Sequence, residues 1–206
     1  MYMTRMELDT ARRTTVLALV SPNLLHGAIE SAFPGERKRR LWRVDSLNGR
    51  QYLLIVSEDR PDLSAARAQF GVEHGDWETR DYAPFLSHIE AGSRWHFRLA
   101  ANPTVSKAQN QGERGRVYAH VTAEQQKKWL LARAEKHGFC LDESDFDIVS
   151  RGVITFNKGA DRRRVTLGVC TFEGILRVSD PERFCAALTE GIGRGKAYGV
   201  GLLTIV

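Results

Sequence analysis

Twice along the chain, apolar residues switch between period two and period 3.6 in the same order. That recurrence constrains the fold more than any other feature. Residues 2–8 (YMTRMEL) alternate as a strand. Ser21-Pro22 then opens a helix, with serine placed to cap and proline at the first helical position. Leu25, Ala28, Ile29 and Ala32 give that helix one apolar stripe, and Phe33-Pro34-Gly35 stops it. Leu41–Leu47 and residues 51–58 are strands around Asn48-Gly49, the strongest short hairpin signal. Residues 62–71 predict a short helix closed by Gly71, and residues 79–89 a strand.

The second half repeats the order. Arg94–Ala101 alternates as a strand, and residues 102–116 (NPTVSKAQNQGERGR) are polar and patternless, which predicts a mobile loop. A capping box (Thr122 with Gln125) opens a helix over 122–138, with Trp129, Leu130 and Ala134 apolar and Gly138 as the stop. Strands follow at 147–156 and 164–178, a helix at Pro181–Glu190 and a strand at 201–206. Each half therefore reads β-α-β-β-α-β. The expected fold is α+β, two tandem ferredoxin-like (RRM-like) domains over residues 1–90 and 94–206. A chain of 206 residues is long enough for two such domains, and 42% hydrophobic residues suit packed cores. No run approaches the roughly 18 apolar residues of a membrane span. The start, MYMTRMELDTARR, carries no apolar signal region. The expected location is the cytoplasm, with no membrane partner.

The net charge of +5 is concentrated. Residues 37–43 read Arg-Lys-Arg-Arg-Leu-Trp-Arg and residues 158–164 read Lys-Gly-Ala-Asp-Arg-Arg-Arg. Two dense basic clusters in a chain that also holds 25 acidic residues point to a nucleic acid. The stretch from Gly191 to Gly201 holds five glycines, Gly191, Gly193, Gly195, Gly199 and Gly201, together with Arg194 and Lys196. A dinucleotide loop follows a strand and opens a helix, whereas this one follows a helix and feeds a strand. It is no Walker loop either, because Ala197 stands where Ser or Thr would bind magnesium. The segment is expected to contact phosphate or a partner, with a tight chain reversal as the structural alternative.

GIGRGKAYGVGLLTIV at the end of the chain resembles the ending of the CasE family, the RNA endonuclease subunit of the Cascade complex. MTRMEL is similar to that family's first strand, LLHGAIESAFPG and RLWRVD to its first helix and second strand, and RWHFRLAANPTVSK to its crossing into the second domain. The resemblance implies metal-independent cleavage of a precursor transcript at the base of a repeat hairpin. The ribose 2′-OH attacks the adjacent phosphate, leaving a 2′,3′-cyclic phosphate (or 3′-phosphate) and a 5′-OH, and the cut guide RNA stays bound. Its partners are then the CRISPR repeat hairpin and other Cascade subunits, and it needs no cofactor.

His26 matches the family's catalytic histidine. It lies one residue past Leu25, so about 100° around the helix and off the core face. Asn23 and Glu30 lie one turn away on either side. An imidazole near pKa 6.5 both takes and gives a proton at neutral pH. Some family members carry a tyrosine where this chain has Asn23, so the resemblance leaves the second acid–base group unassigned. The hairpin with Arg162, Arg163 and Arg164 is, by resemblance, the element that grips the RNA stem. Lys158 and Ser150 are candidates to reach the scissile phosphate, and Arg37, Lys38, Arg39 and Arg40 to extend the basic track. The remaining histidines (74, 88, 96, 120, 137) form no HxxxH or HxxH pair, so no metal site is expected. A non-catalytic RNA-binding subunit is the other reading.

Phosphate contacts release counterions, so affinity for a structured RNA should fall steeply as salt rises. A salt titration checks this; a flat response would remove the basic clusters from the interface.

Overall fold

The computed structural model describes residues 1–36, 38–107, 115–158 and 163–206. The first half runs β1 (Tyr2–Leu8), α1 (Arg13–Val20), α2 (Pro22–Ser31), β2 (Leu41–Leu47), β3 (Arg50–Ser57), α3 (Ser64–Phe70), β4 (Trp77–Asp81) and α4 (Ala83–Leu86). Its strands form one antiparallel sheet in the order β2-β3-β1-β4. The second half runs β5 (Arg94–Ala101), β6 (Thr104–Lys107), β7 (Arg116–Ala119), α5 (Ala123–Ala134), β8 (Phe139–Cys140), β9 (Phe146–Lys158), β10 (Arg163–Val178), α6 (Pro181–Glu190) and β11 (Leu203–Ile205). Its main sheet has the order β11-β5-β10-β8, with β9 also paired to β10. Both sheets therefore carry the ferredoxin-like order, in which the first strand lies between the last and the third.

Local chemistry explains most elements. Asn48 (φ 52°) and Gly49 (φ 78°) are both left-handed, as a two-residue hairpin turn requires. Thr122 accepts from the Gln125 N–H and Gln125 reaches back to the Thr122 N–H, so the capping box forms as expected.

Four expectations need correction. The strand proposed for 79–89 ends at Asp81, whose carboxylate takes the Ala83 N–H (2.9 Å), and Pro84 then sits in the first turn of α4. Residues 102–116 are not loop throughout, because β6 and β7 pair antiparallel; 108–114 lie outside the described residues. Helix α1 is additional. Its sequence, RTTVLALV, is rich in β-branched residues and buries only Thr15 and Ala18, which hid its period. Ser21 serves as the hinge between α1 and α2: its N–H bonds Leu17 O (2.9 Å) and its side chain caps nothing.

Leu25, Ile29 and Ala32 of α2 pack with Met6, Leu53 and Ile55 of the first sheet. In the second half Trp129 and Leu130 of α5 and Phe184 and Leu188 of α6 pack on Leu99 and Phe172. Where the halves meet, Leu41 and Val56 bury with Leu202. Beside them Arg43 of β2 crosses the seam, its side chain only 3% exposed. Nε and Nη2 donate to the Asp45 carboxylate (2.7 and 2.6 Å), Nη1 to Arg98 O (2.9 Å) and Leu202 O (2.8 Å), and Nη2 to Thr204 Oγ1 (2.7 Å). All five N–H groups of the guanidinium thus have acceptors, three of them from the second half. Arg98 Nε also donates to Asp45 (3.1 Å) and Arg98 pairs with Glu173.

Removing this arginine takes two of its donors from Asp45 and one each from the Arg98 and Leu202 carbonyls at the seam. Arg43→Ala should lower stability in urea unfolding by about 3–5 kcal/mol. A loss below about 1 kcal/mol would mean that the seam does not depend on it.

Candidate active site

The glycine-rich segment is a closed loop over the seam. Helix α6 ends at Glu190 against left-handed Gly191 (φ 76°). Ile192 N–H bonds Gly201 O (2.8 Å), and Gly201 N–H bonds Ala100 O of β5 (2.6 Å), so both ends of the loop are tied together and to the second sheet. At its tip, left-handed Gly195 (φ 90°) and Gly199 (φ 76°) bracket a single 3-10 turn, Lys196–Tyr198. A Cβ on Gly199 would lie 2.7 Å from the Trp42 ring, and one on Gly193 would lie 3.1 Å from Trp129. These two glycines therefore serve tight chain reversal and close approach to tryptophan rings. The side chains that can meet a ligand are Arg194, exposed, and Lys196, half-buried. Burial and then the charge of Arg39 push the Lys196 ammonium below its usual range, against the pull of Glu190. Two neighbouring cations with one opposing carboxylate make a favourable place for an anion.

The turn sets Tyr198 against helix α2. Its ring meets the His26 imidazole edge-on, with centroids 6.4 Å apart and planes at 63°. On another side it packs on Phe156 of β9 (4.7 Å). His26 is about one-fifth exposed, and its Nδ1 lies 4.0 Å from Glu30 Oε1. Glu30 Oε2 accepts from Arg40 Nη1 (3.0 Å). Asn23, one turn before His26, has a buried Oδ1 with no hydrogen-bond partner among the described residues. His26 thus sits where the first half's helix meets the second half's loop.

The other expected residues divide. Arg40 is buried, with its guanidinium over the Phe33 ring (4.3 Å), bonded to Glu30 and Glu36 O; it faces inward rather than along a basic track. Lys38 pairs with Glu58 (3.3 Å) and Asp59 (3.0 Å), and these partners, Asp59 first, raise its pKa. Arg39 is exposed, and its charge is felt at Lys196. Lys158 and Arg163 pair across the β9–β10 hairpin; Arg164 stands opposite Asn157 and is exposed. Ser150 is exposed on β9 opposite Thr171, beside the bulge at Val149. Arg37 and Arg162 lie outside the described residues. Among the described residues, no three His, Cys, Asp or Glu side chains converge as metal ligands, and no helix is long and apolar enough to cross a membrane.

Of this cluster, Tyr198 carries a readable sequence signal and the Glu30–Arg40 pairing does not. Tyr198 stands inside the glycine run, where an aromatic ring has no strand or helix period to serve. Arg40 stands ten residues after Glu30, and only the return of the chain into β2 makes them neighbours.

Residues 1–206 match the family described as CRISPR associated protein. The chain belongs to that family. A curated relative, the CRISPR-associated endoribonuclease Cse3 of Thermus thermophilus, is 30% identical over 100% of this chain and 99% of its own. A structure of Cse3 bound to a 19-nucleotide RNA superposes with a TM-score of 0.83 at 28% identity, covering all of both chains. Thermus thermophilus Cse3 bound to an RNA representing a pre-cleavage complex gives 0.81 at 28% identity, over 100% of this chain and 98% of that one. The resemblance read from the first strand to the glycine-rich ending therefore agrees with matches over all of residues 1–206.

Because Gly199 is left-handed and closes on Trp42, Gly199→Ala should cost about 1–3 kcal/mol and shift the tryptophan emission. Unchanged unfolding and emission would show that the turn is not pinned there.

Proposed function

We propose that this protein is a metal-independent endoribonuclease that binds a CRISPR repeat hairpin and cleaves precursor CRISPR RNA. The observation that carries this is His26, partly exposed at the seam between a glycine-loop tyrosine and a fixed carboxylate, in a chain that resembles Cse3 over its full length. In this reading His26 takes the proton of the ribose 2′-OH, and the 2′-oxygen attacks the adjacent phosphorus. The bond to the 5′-oxygen breaks, leaving a 2′,3′-cyclic phosphate and a 5′-OH. Attacking and leaving oxygens lie on opposite sides of the phosphorus, so a second proton-bearing group is needed. Tyr198 is that group: a phenol carries its proton at neutral pH, and this one is held beside the imidazole. Lys196 and Arg39 supply positive charge for the phosphorane.

The β9–β10 hairpin, with Lys158, Arg162, Arg163 and Arg164, grips the RNA stem, and Ser150 and Arg194 lie along its approach. Phe156, two residues before Lys158, ties that hairpin to Tyr198. The two domains divide at about residues 90–94, so the RNA is held by the second and cut by a histidine of the first. The protein works in the cytoplasm beside other subunits of the guide-RNA complex and retains the cut RNA.

The test is cleavage of a labelled repeat hairpin in EDTA. Wild type should cut, and His26→Ala should be slower by at least about 10²-fold with RNA binding retained. Tyr198→Phe should also slow cleavage and spare binding. A 2′-deoxy residue at the cut site should block cutting. Binding without cutting by wild type would make this a binding subunit, and cutting only with magnesium would overturn the mechanism.

A further inference from the structure

We infer that Glu30, gripped by Arg40, is a positioning residue that orients His26 and sets its proton affinity. The inference rests on the role proposed above for His26. One oxygen of the Glu30 carboxylate is bonded to Arg40 (3.0 Å) and the other faces His26 Nδ1 (4.0 Å). A glutamate on an exposed helix face samples many rotamers. This one is held, because its arginine partner is itself immobile. The Arg40 side chain is 4% exposed, stacks on Phe33 (4.3 Å) and donates to Glu36 O (3.4 Å). That grip restrains the carboxylate and leaves its other oxygen facing Nδ1.

The consequence is a choice of nitrogen. An acceptor beside Nδ1 favours the tautomer with its proton there, which leaves the Nε2 lone pair to accept the proton of the 2′-OH. The gap of 4.0 Å is longer than a hydrogen bond. Contacts of this kind commonly close only when substrate is bound. Tyr198 bounds the ring on another side, so the imidazole is confined between a carboxylate and a phenol.

The carboxylate also stabilises the imidazolium, because an opposite charge favours the charged form. Among the described residues, charged groups come from several neighbouring elements. Arg40 lies behind Glu30 and partly offsets its charge. The glycine turn contributes Tyr198 and Lys196, the latter beside Arg39 and Glu190. Helix α1 contributes Arg13, its only ionisable side chain. Arg67 of α3 is directed to Gly75 O, Asp147 of β9 pairs with Lys127, and Arg151 of β9 is directed to Val121 O.

The experiment follows the His26 ring by NMR across a pH titration, in wild type and Glu30→Gln. Glutamine keeps the shape and removes the charge. The His26 pKa should fall by about one unit, as expected on losing an opposite charge at this range. The acid limb of the single-turnover cleavage profile should move to lower pH by the same amount, with cleavage slowed about 10- to 100-fold. Glu30→Asp, which keeps the charge at a longer reach, should recover part of both. If His26 titrates identically in wild type and Glu30→Gln, Glu30 is merely structural and the inference fails, whatever happens to stability. If Glu30→Gln does not fold, the same titration of Glu30→Ala, which also removes the charge, decides, and an unshifted His26 refutes the idea. The NMR measurement needs no turnover, so a wild type that binds RNA without cutting would sink the proposed activity while leaving this test readable.

Discussion

One buried guanidinium makes the two halves of this molecule a single body. Arg43 leaves β2 and satisfies all five of its N–H groups on Asp45, Arg98 O, Leu202 O and Thr204. A charge removed from water is tolerated only when its donors are met this completely. The cross-bonds tie β2 to β5 and to the segment entering β11. That segment is the exit of the glycine-rich loop. The exit of the loop is thus anchored on the residue next to Trp42, against which the turn packs.

The site itself belongs to neither half alone. The first half supplies His26, Glu30 and Arg40 from α2 and the lead into β2; the second supplies Tyr198 and Lys196 from the turn and Phe156 from β9. Glycines at both ends of the turn let it press on Trp42. A polar, partly exposed cluster can be held this firmly because each member leans on something buried: Glu30 on Arg40, Tyr198 on Phe156, the turn on Trp42. A seam is also a natural place for a reaction that needs groups on opposite sides of a phosphate.

Much of this was legible in the chain. Asn48-Gly49, the Thr122–Gln125 box and the stripe Leu25–Ile29–Ala32 each encode a local geometry that the structure adopts. His26 was visible as a helix residue off the core face. Helix α1 was not, because its β-branched residues blur the helical period, and the end of β4 was misjudged because Asp81 and Pro84 start a short helix. The basic run at 37–40 read as one patch. The structure separates it: Lys38 pairs with Glu58 and Asp59, Arg39 lies near Lys196, and Arg40 points inward.

The sequence by itself determined most of the elements, the repeated order that sorts them into two ferredoxin-like sheets, the family and the position of His26 off the core face. These depend on neighbours a few residues apart or on patterns spanning the chain, and a linear reading reaches both. Only the tertiary structure decided which charges are buried, which carboxylate faces the imidazole, and that Tyr198 stands beside His26 across 172 positions. Those relations depend on how two sheets close on each other. A buried arginine and a solvated one are the same letter, and only packing decides whether its charge is met by protein or by water.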